Sequence, residues 1–281
     1  MSEAIAASPA RQLVLRVSGL TKSYRRAQIG WRAGQQIVAA RNVSFEIRAG
    51  ETLAVVGRSG SGKSTVARCV TRHEKPEAAQ IWVEGAEIGR LTARDLRVVR
   101  SQFQMIFQDA GTSMNPQFTA VEVIEEPLLI QRIGDKCSRR ARVLELMQEV
   151  GLALDSADRR ATDFSGGQQQ RLAIARALAL KPKLLVLDEA LSGLDLSTEA
   201  QIVNLLLDLQ LTHSLAYLLI SHDLALVARL ADRIAVMAHG EIVEQGAVSS
   251  ILSRAQHPET RALLTSSQSS QVSVARLGVA P

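Results

Sequence analysis

Residues 57–65 read GRSGSGKST and follow directly on the apolar run LAVV at 53–56. This junction constrains the fold more than any other feature of the chain. A short, wholly apolar run is a buried strand, and here it must deliver the chain into a tight, glycine-rich turn. Gly57, Gly62, Lys63 and Ser64 satisfy the pattern G-x-x-x-x-G-K-[ST]. Glycines let successive backbone N–H groups curl toward one anion, which a Cβ would obstruct. The helix expected from about Gly62 adds the positive end of its dipole. Lys63 brings a full charge to the outer phosphates, and Ser64 offers a hydroxyl to Mg²⁺. Arg58, Ser59, Gly60, Ser61 and Thr65 complete the cradle. The turn is expected to hold a nucleotide by its phosphates.

The surrounding pattern predicts strands alternating with helices. LVLRVSGLTKSY and VSFEIRAGE read as strands, with RRAQIGWRAGQQ between them as a hairpin excursion. IWVEGAEI reads as a short hairpin. From about 95 to 165 the character changes, and Val143, Leu146, Met147 and Val150 fall on one helical face, so a helical insertion is expected there. QQQRLAIARALAL is then a helix, LLVL and YLLI are buried strands, and RIAVMAHGEIVEQG is a closing pair of strands. Short continuous apolar strands separated by helices predict an α/β fold, a parallel sheet covered on both faces. The Ser/Gln-rich segment 265–281 is expected to be a flexible tail.

Composition narrows the classes. Hydrophobic residues make up 46% of the 281, which suits a full core, and aromatic residues only 3%, so that core rests on Leu, Val, Ile and Ala. The net charge of +5 suits an anionic ligand or membrane surface, but no dense Lys/Arg tract is present, and nucleic acid is not expected as a partner. Cys69 and Cys137 show neither CxxC nor Cys/His spacing and are expected to be reduced cytosolic thiols. MSEAIAASPARQ lacks the pattern of a signal peptide, and no uncharged apolar run approaches the ~18 residues of a membrane span. Any membrane role is expected to come through partners.

A bound nucleotide needs a metal partner and a positioned water. Asp188 ends the strand LLVLD, so its carboxylate emerges at the carboxyl edge of the sheet as a Mg²⁺ partner. Glu189, one residue on, is placed to orient or deprotonate the water. A second glycine turn, Ser165, Gly166, Gly167 and Gln168 in DFSGGQQQR, also opens onto a helix and forms a second anion site. One triphosphate needs one cradle. The second serves either another anion or a nucleotide held by another molecule.

These motifs closely resemble the ATP-binding cassette (ABC) family over residues 12–264. FSGGQQQR is similar to its signature turn. Tyr24 in LTKSY resembles the adenine-stacking aromatic, with Trp31 as a competitor. Gln108 in MIFQD resembles the Q-loop glutamine, which joins Ser64 and Asp188 at the metal. Asp195 in SGLD resembles the D-loop, and His222 in LLISHD the switch histidine at the terminal phosphate. The resemblance implies a P-loop NTPase, RecA-like parallel sheet core with an antiparallel β subdomain and an inserted helical subdomain. It implies ATP and Mg²⁺, with Glu189, His222 and Lys63 in catalysis. It also implies a second ABC ATPase subunit, identical or paralogous, whose signature turn closes over this chain's nucleotide.

FQDAGTSMNPQFTAVEVIEEPL and HPETRALL resemble the peptide and nickel importer branch of that family. Gln169 stands where the family usually has Arg or Lys, Ala110 and Gly111 where it has Pro and an aromatic, and Glu259 where it has tyrosine. The resemblance implies an ATPase subunit peripheral to the cytoplasmic face of the inner membrane. Its partners would be two permease subunits and, indirectly, a solute-binding protein. A nickel-type importer and an exporter stay open as alternatives. A cassette acting on nucleic acid would want a long coiled-coil insertion or two fused cassettes, and a P-loop kinase would have no use for FSGGQ.

Overall fold

Leu53 and Val55 point to one side of their strand and Ala54 and Val56 to the other, and all four are buried. This is the pattern of a strand covered on both faces. The structure, a computed structural model, describes residues 11–25 and 36–266. Its strands are β1 (Leu13–Arg25), β2 (Gln36–Arg48), β3 (Thr52–Val56), β4 (Ala78–Val83), β5 (Ala86–Glu87), β6 (Phe103–Ile106), β7 (Leu184–Asp188), β8 (Ala216–Ser221), β9 (Arg233–Ala238) and β10 (Glu241–Ala247). Its helices are α1 (Lys63–Val70), α2 (Ala93–Val99), α3 (Ala110–Ser113), α4 (Ala120–Gln131), α5 (Lys136–Glu149), α6 (Gly166–Leu178), α7 (Leu196–His213), α8 (Leu224–Leu230) and α9 (Val248–Arg254). Trp31 and most of the excursion at 25–36 lie outside the described residues, as does 267–281 of the expected tail. Residues 265 and 266 end a helical stretch that begins at 258.

Six strands form one sheet in the order β10-β9-β3-β8-β7-β6. β9, β3, β8, β7 and β6 run parallel, and β10 pairs antiparallel with β9 at the edge. A second, antiparallel sheet has the order β2-β1-β4-β5. Leu53, Val55, Val186, Leu218, Ile220 and Met237 share a core with this second sheet and with Val66 and Val70 of α1. Ala54, Val56, Leu187, Leu219 and Val236 share a core with α6, α7, α8 and the helical insertion. Alternation along each strand thus builds two cores from one sheet.

The insertion is anchored from its own sequence. Thr119 and Glu122 form a capping box at the start of α4, and Asp135 and Ser138 form one at the start of α5. Val143, Leu146, Met147 and Val150 are all fully buried in the same core. The expected helical range from about 95 needs one correction. β6 lies inside it, with Phe103 opposite Leu184 and Ile106 opposite Leu187. FQMI is only four residues, with Gln104 and Met105 half-buried, so it carries no period of its own. Pairing with β7 makes it a strand.

HPETRALL also has a structural account. The Glu244 carboxylate on β10 accepts the amides of Gln256 at 2.8 Å and His257 at 3.0 Å. This starts the helical stretch at 258, and Leu263 and Leu264 pack against the core shared with α6, α7 and α8.

Leu146→Ala is expected to lower unfolding free energy by about 2–5 kcal/mol through lost transfer energy and a cavity. Leu211→Ala, at a residue 83% exposed, is expected to stay within ~0.5 kcal/mol. Urea unfolding of the two variants checks the pair.

Candidate functional site

The turn after β3 is squeezed between two backbone carbonyls. A Cβ on Gly57 would stand 2.2 Å from Met237 O, and one on Gly62 would stand 1.8 Å from Ala39 O. Gly62 also holds φ of +105°, and as N-cap of α1 it places no side chain over the helix's free amides. Lys63 is 5% exposed, and its ammonium donates to the carbonyls of Gly57 at 2.9 Å and Arg58 at 3.0 Å. Burial pushes its pKa down, against the pull of Glu189 and Asp188. The Gly240 amide donates to Ser61 O at 3.1 Å and ties the turn to the β9–β10 connection. The Ser61 hydroxyl is buried without a hydrogen-bond partner among the described residues. Arg58, Ser59 and Gly60 are exposed.

Sheet register brings the acids to the same edge. Asp188 ends β7 opposite Ile220 of β8, two residues before His222. Ser64 donates its hydroxyl to Asp188 Oδ1 at 2.8 Å. Asp188 is 6% exposed, and burial raises its pKa, only partly opposed by the Ser64 hydrogen bond. Glu189 sits at φ +48°, a left-handed conformation that costs a non-glycine residue about 1–2 kcal/mol. Its amide donates to Ile220 O at 3.0 Å, and its carbonyl accepts from the Ser192 amide at 3.0 Å. These bonds hold the residue in that conformation. Glu189 Oε1 lies 3.6 Å from His222 Nδ1, and both line a cavity of ≈ 170 Å³ with Glu199 and Asp223.

Tyr24, next to last in β1, lies beside the turn at 57–65. Its hydroxyl donates to Glu74 and lies 3.4 Å from Thr65 Oγ1, while Lys22 Nζ stands 5.3 Å from the ring centroid. Burial and Glu74 raise its pKa.

The second glycine turn is built differently. Ser165 Oγ accepts from the Gln168 amide at 3.4 Å, and Gln168 Oε1 accepts from the Ser165 amide at 3.0 Å. This capping box leaves the Gly166 and Gly167 amides as the outward donors of α6. A Cβ on Gly167 would stand 2.4 Å from Thr198 Cγ2 of α7. Phe164 is buried, with the Arg159 guanidinium 4.9 Å from its ring centroid. No hydrogen bond among the described residues joins 165–168 to 57–65.

The expected residues therefore separate into groups. Residues 57–65, Asp188 and Tyr24 come together, and Glu189 meets His222 alongside. Gln108 is exposed two residues past β6 and makes no hydrogen bond to Ser64 or Asp188, the other two expected metal ligands. It lines a groove of ≈ 600 Å³ with Gly166, Gln170 and Gly193. Asp195 makes no hydrogen bond to residues 57–65 or 165–168 among the described residues. It caps its own helix, accepting from the Ser197 amide at 3.1 Å and the Thr198 amide at 2.9 Å. Asp223 escaped the sequence reading. It caps α8, accepting from the Ala225 amide at 2.7 Å, and so fixes the turn that carries His222. The signal for it was present, an Asp directly before an apolar helical run.

The site residues fit a phosphate chain and its metal. Gly57 and Gly62 form a cradle that a Cβ would fill, and Ser61 is an orphaned hydroxyl beneath it. Among the described residues no group of three or more His, Cys, Asp or Glu could hold a metal alone. The Ser64–Asp188 pair could share one with phosphate oxygens.

The family profile described as ABC transporter matches residues 40–192. The chain is 43% identical over 268 residues to the probable peptide ABC transporter ATP-binding protein y4tS of Sinorhizobium fredii, covering 95% of this chain and 76% of that protein. It is 44% identical over 252 residues to a putative peptide import ATP-binding protein of Brucella ovis, covering 90% and 78%. Among solved structures it is similar to the dimeric ATP-binding cassette MJ0796 in a post-hydrolysis state bound to ADP and Pi. That likeness has 30% identity and a TM-score of 0.73, covering 83% of this chain and 98% of the other.

Asp188→Asn is expected to raise the melting temperature of the nucleotide-free protein in chelator. The folded pKa lies above the unfolded one, so the ionised carboxylate destabilises the fold at neutral pH, and the penalty is relieved as pH falls toward the unfolded value. Thermal scans between pH 4 and 8 check both points, and the variant should lose that part of the pH dependence.

Proposed function

The chain belongs to the ABC transporter family, and from that premise we propose that it is the ATP-hydrolysing subunit of an importer that takes up peptides. Residues 57–65 bind the phosphates, and Tyr24 stacks on adenine. Ser64 and Asp188, with Gln108 as a further ligand, would hold Mg²⁺, which would neutralise charge on the outer phosphates. Glu189 takes the proton of the attacking water, and His222 donates to the terminal phosphate as charge develops there. Lys63 turns from the carbonyls of Gly57 and Arg58 to the phosphates, exchanging two neutral acceptors for a charged one.

The observation that carries this reading is the separation of the two anion-facing turns. Residues 57–65 carry the lysine and hydroxyl of a phosphate and metal site, and Asp188 adds the acid beside Ser64. Residues 165–168 carry only outward amides, with Ser165 and Gln168 engaged with each other in the cap. A pair of cassettes, identical or paralogous, gives the second turn its phosphate. The dimeric arrangement of MJ0796 supports this pairing. Asp195 then acts by holding α7 against Gly167, at the Thr198 contact.

Peptide as the transported solute rests on the two relatives, both described as peptide ABC transporter or import proteins, which favours it over nickel. Among the described residues no helix is long and apolar enough to cross a membrane; family membership and the peptide-transport relatives support a subunit peripheral to the cytoplasmic face. Two permease subunits would supply the path, served by a solute-binding protein. The groove of ≈ 260 Å³ lined by Phe107, Pro127, Ile130 and Gln131 supports permease contact near the Gln108 segment.

Glu189→Gln is expected to cut ATP turnover by at least ~100-fold, the lower end for removing a general base. It should keep nucleotide affinity and accumulate as an ATP-bound pair. Steady-state hydrolysis and sedimentation velocity check this, and undiminished turnover removes Glu189 from its role.

A further inference from the structure

Gln169 sits one residue past the exposed second glycine turn, yet its side chain faces away from it. Its Nε2 donates to Phe164 O at 3.1 Å and Ala161 O at 3.3 Å, the residues that lead the chain into Ser165. Its Oε1 occupies the space above Gly111, where a Cβ would stand 2.6 Å from that oxygen. Gly111 belongs to α3, the single turn that begins two residues after Gln108 and is capped by Asp109. A second contact lies seven residues further along α6. Arg176 Nη1 donates to Ser113 O at 3.2 Å and Nη2 to Glu126 at 2.6 Å. Residues 169 and 176 are two helical turns apart and therefore on one face. α3 is thus clasped to α6 at both of its ends.

We propose that Gln169 is a positioning residue that joins the Gln108 segment to the second glycine turn, so that the two move as one body when cassettes pair. One amide side chain does both tasks. Its nitrogen fixes the direction from which the chain enters residues 165–168, and its oxygen fills the space that only a glycine at 111 leaves open. Loss of the nitrogen's bonds frees the turn's approach. Added bulk at 111 displaces the oxygen and strains the same bonds from the other side. The proposal rests on the paired-cassette reading for its consequence in function, but the clasp itself is a property of the single chain.

Two variants and their combination test it. Gln169→Met keeps the length and helix preference and removes both hydrogen bonds. Gly111→Ala pushes the amide without removing it. Backbone hydrogen exchange of the nucleotide-free full chain is the first readout. Gln169→Met should speed exchange at 164–168 by about tenfold, the effect of losing one to two hydrogen bonds, should speed exchange at 108–113 as well through the lost packing on Gly111, and should leave 57–65 unchanged. Gly111→Ala should act in the same direction, and the double variant should be no worse than Gln169→Met alone. Unchanged exchange, exchange confined to one segment, or effects that multiply in the double variant would overturn the proposal.

The second readout is ATP-driven pairing in a Glu189→Gln background, followed by sedimentation. Gln169→Met should weaken pairing about tenfold while the monomer's affinity for a fluorescent ATP analogue stays the same. A parallel loss of monomer affinity would mark general damage and also overturn it. A Glu189→Gln chain that fails to pair on ATP would instead overturn the paired-cassette reading, and the exchange experiment would still decide the clasp.

Discussion

The phosphate turn exists because two carbonyls press on it. Met237 O and Ala39 O occupy the places where side chains at 57 and 62 would begin. One carbonyl comes from the end of β9 in the parallel sheet, the other from β2 in the antiparallel sheet. The turn is therefore a keystone between the two sheets, and its amides are aimed by both. Ala39 is separated by 23 residues from Gly62 and Met237 by 180 from Gly57, so these two close approaches are set by the tertiary fold and not within residues 57–65. The core shared by the two sheets holds the carbonyls in place, and α1 begins where the pressure ends.

Around that keystone the chain buries charge that has little stabilising value of its own. Asp188 and Lys63 are both almost fully buried, and burial opposes the ionised form of each. A serine hydroxyl and two main-chain carbonyls are their direct hydrogen-bond partners. Glu189 adds a left-handed backbone conformation held by the Ile220 carbonyl and the Ser192 turn. Burial and strain are concentrated at one sheet edge, where a stable core alone would not place them. The rest of the fold, with its apolar strands and capped helices, supplies the stability that offsets them.

The second glycine turn shows a division of labour within a few residues. Ser165 and Gln168 satisfy each other, Gly167 lets α6 approach α7, Phe164 anchors the entry, and Gln169 reaches back to that entry. Outward amides remain only where the helix begins. Asp195 starts the helix against which Gly167 rests. Proximity in sequence to a motif did not reveal which atoms face the ligand and which hold the motif in shape.

The sequence by itself determined the elements with strong local signals. The glycine turn after LAVV, the acid pair ending LLVLDE, the helical face through Val143 and Val150, and the helix after DFSGG were all legible. In each, the hydrophobic period or the turn chemistry lies within about a dozen residues. Only the tertiary structure decided what depends on distant partners. It made FQMI an edge strand by pairing it with β7, set Glu189 against His222 through the register of β7 and β8, and turned Asp195 to its own helix. It also brought Gly111 against Gln169 across 58 positions. The physical reason is common to these cases: strand pairing and side-chain contact are relations between segments, and a single segment carries only half of each.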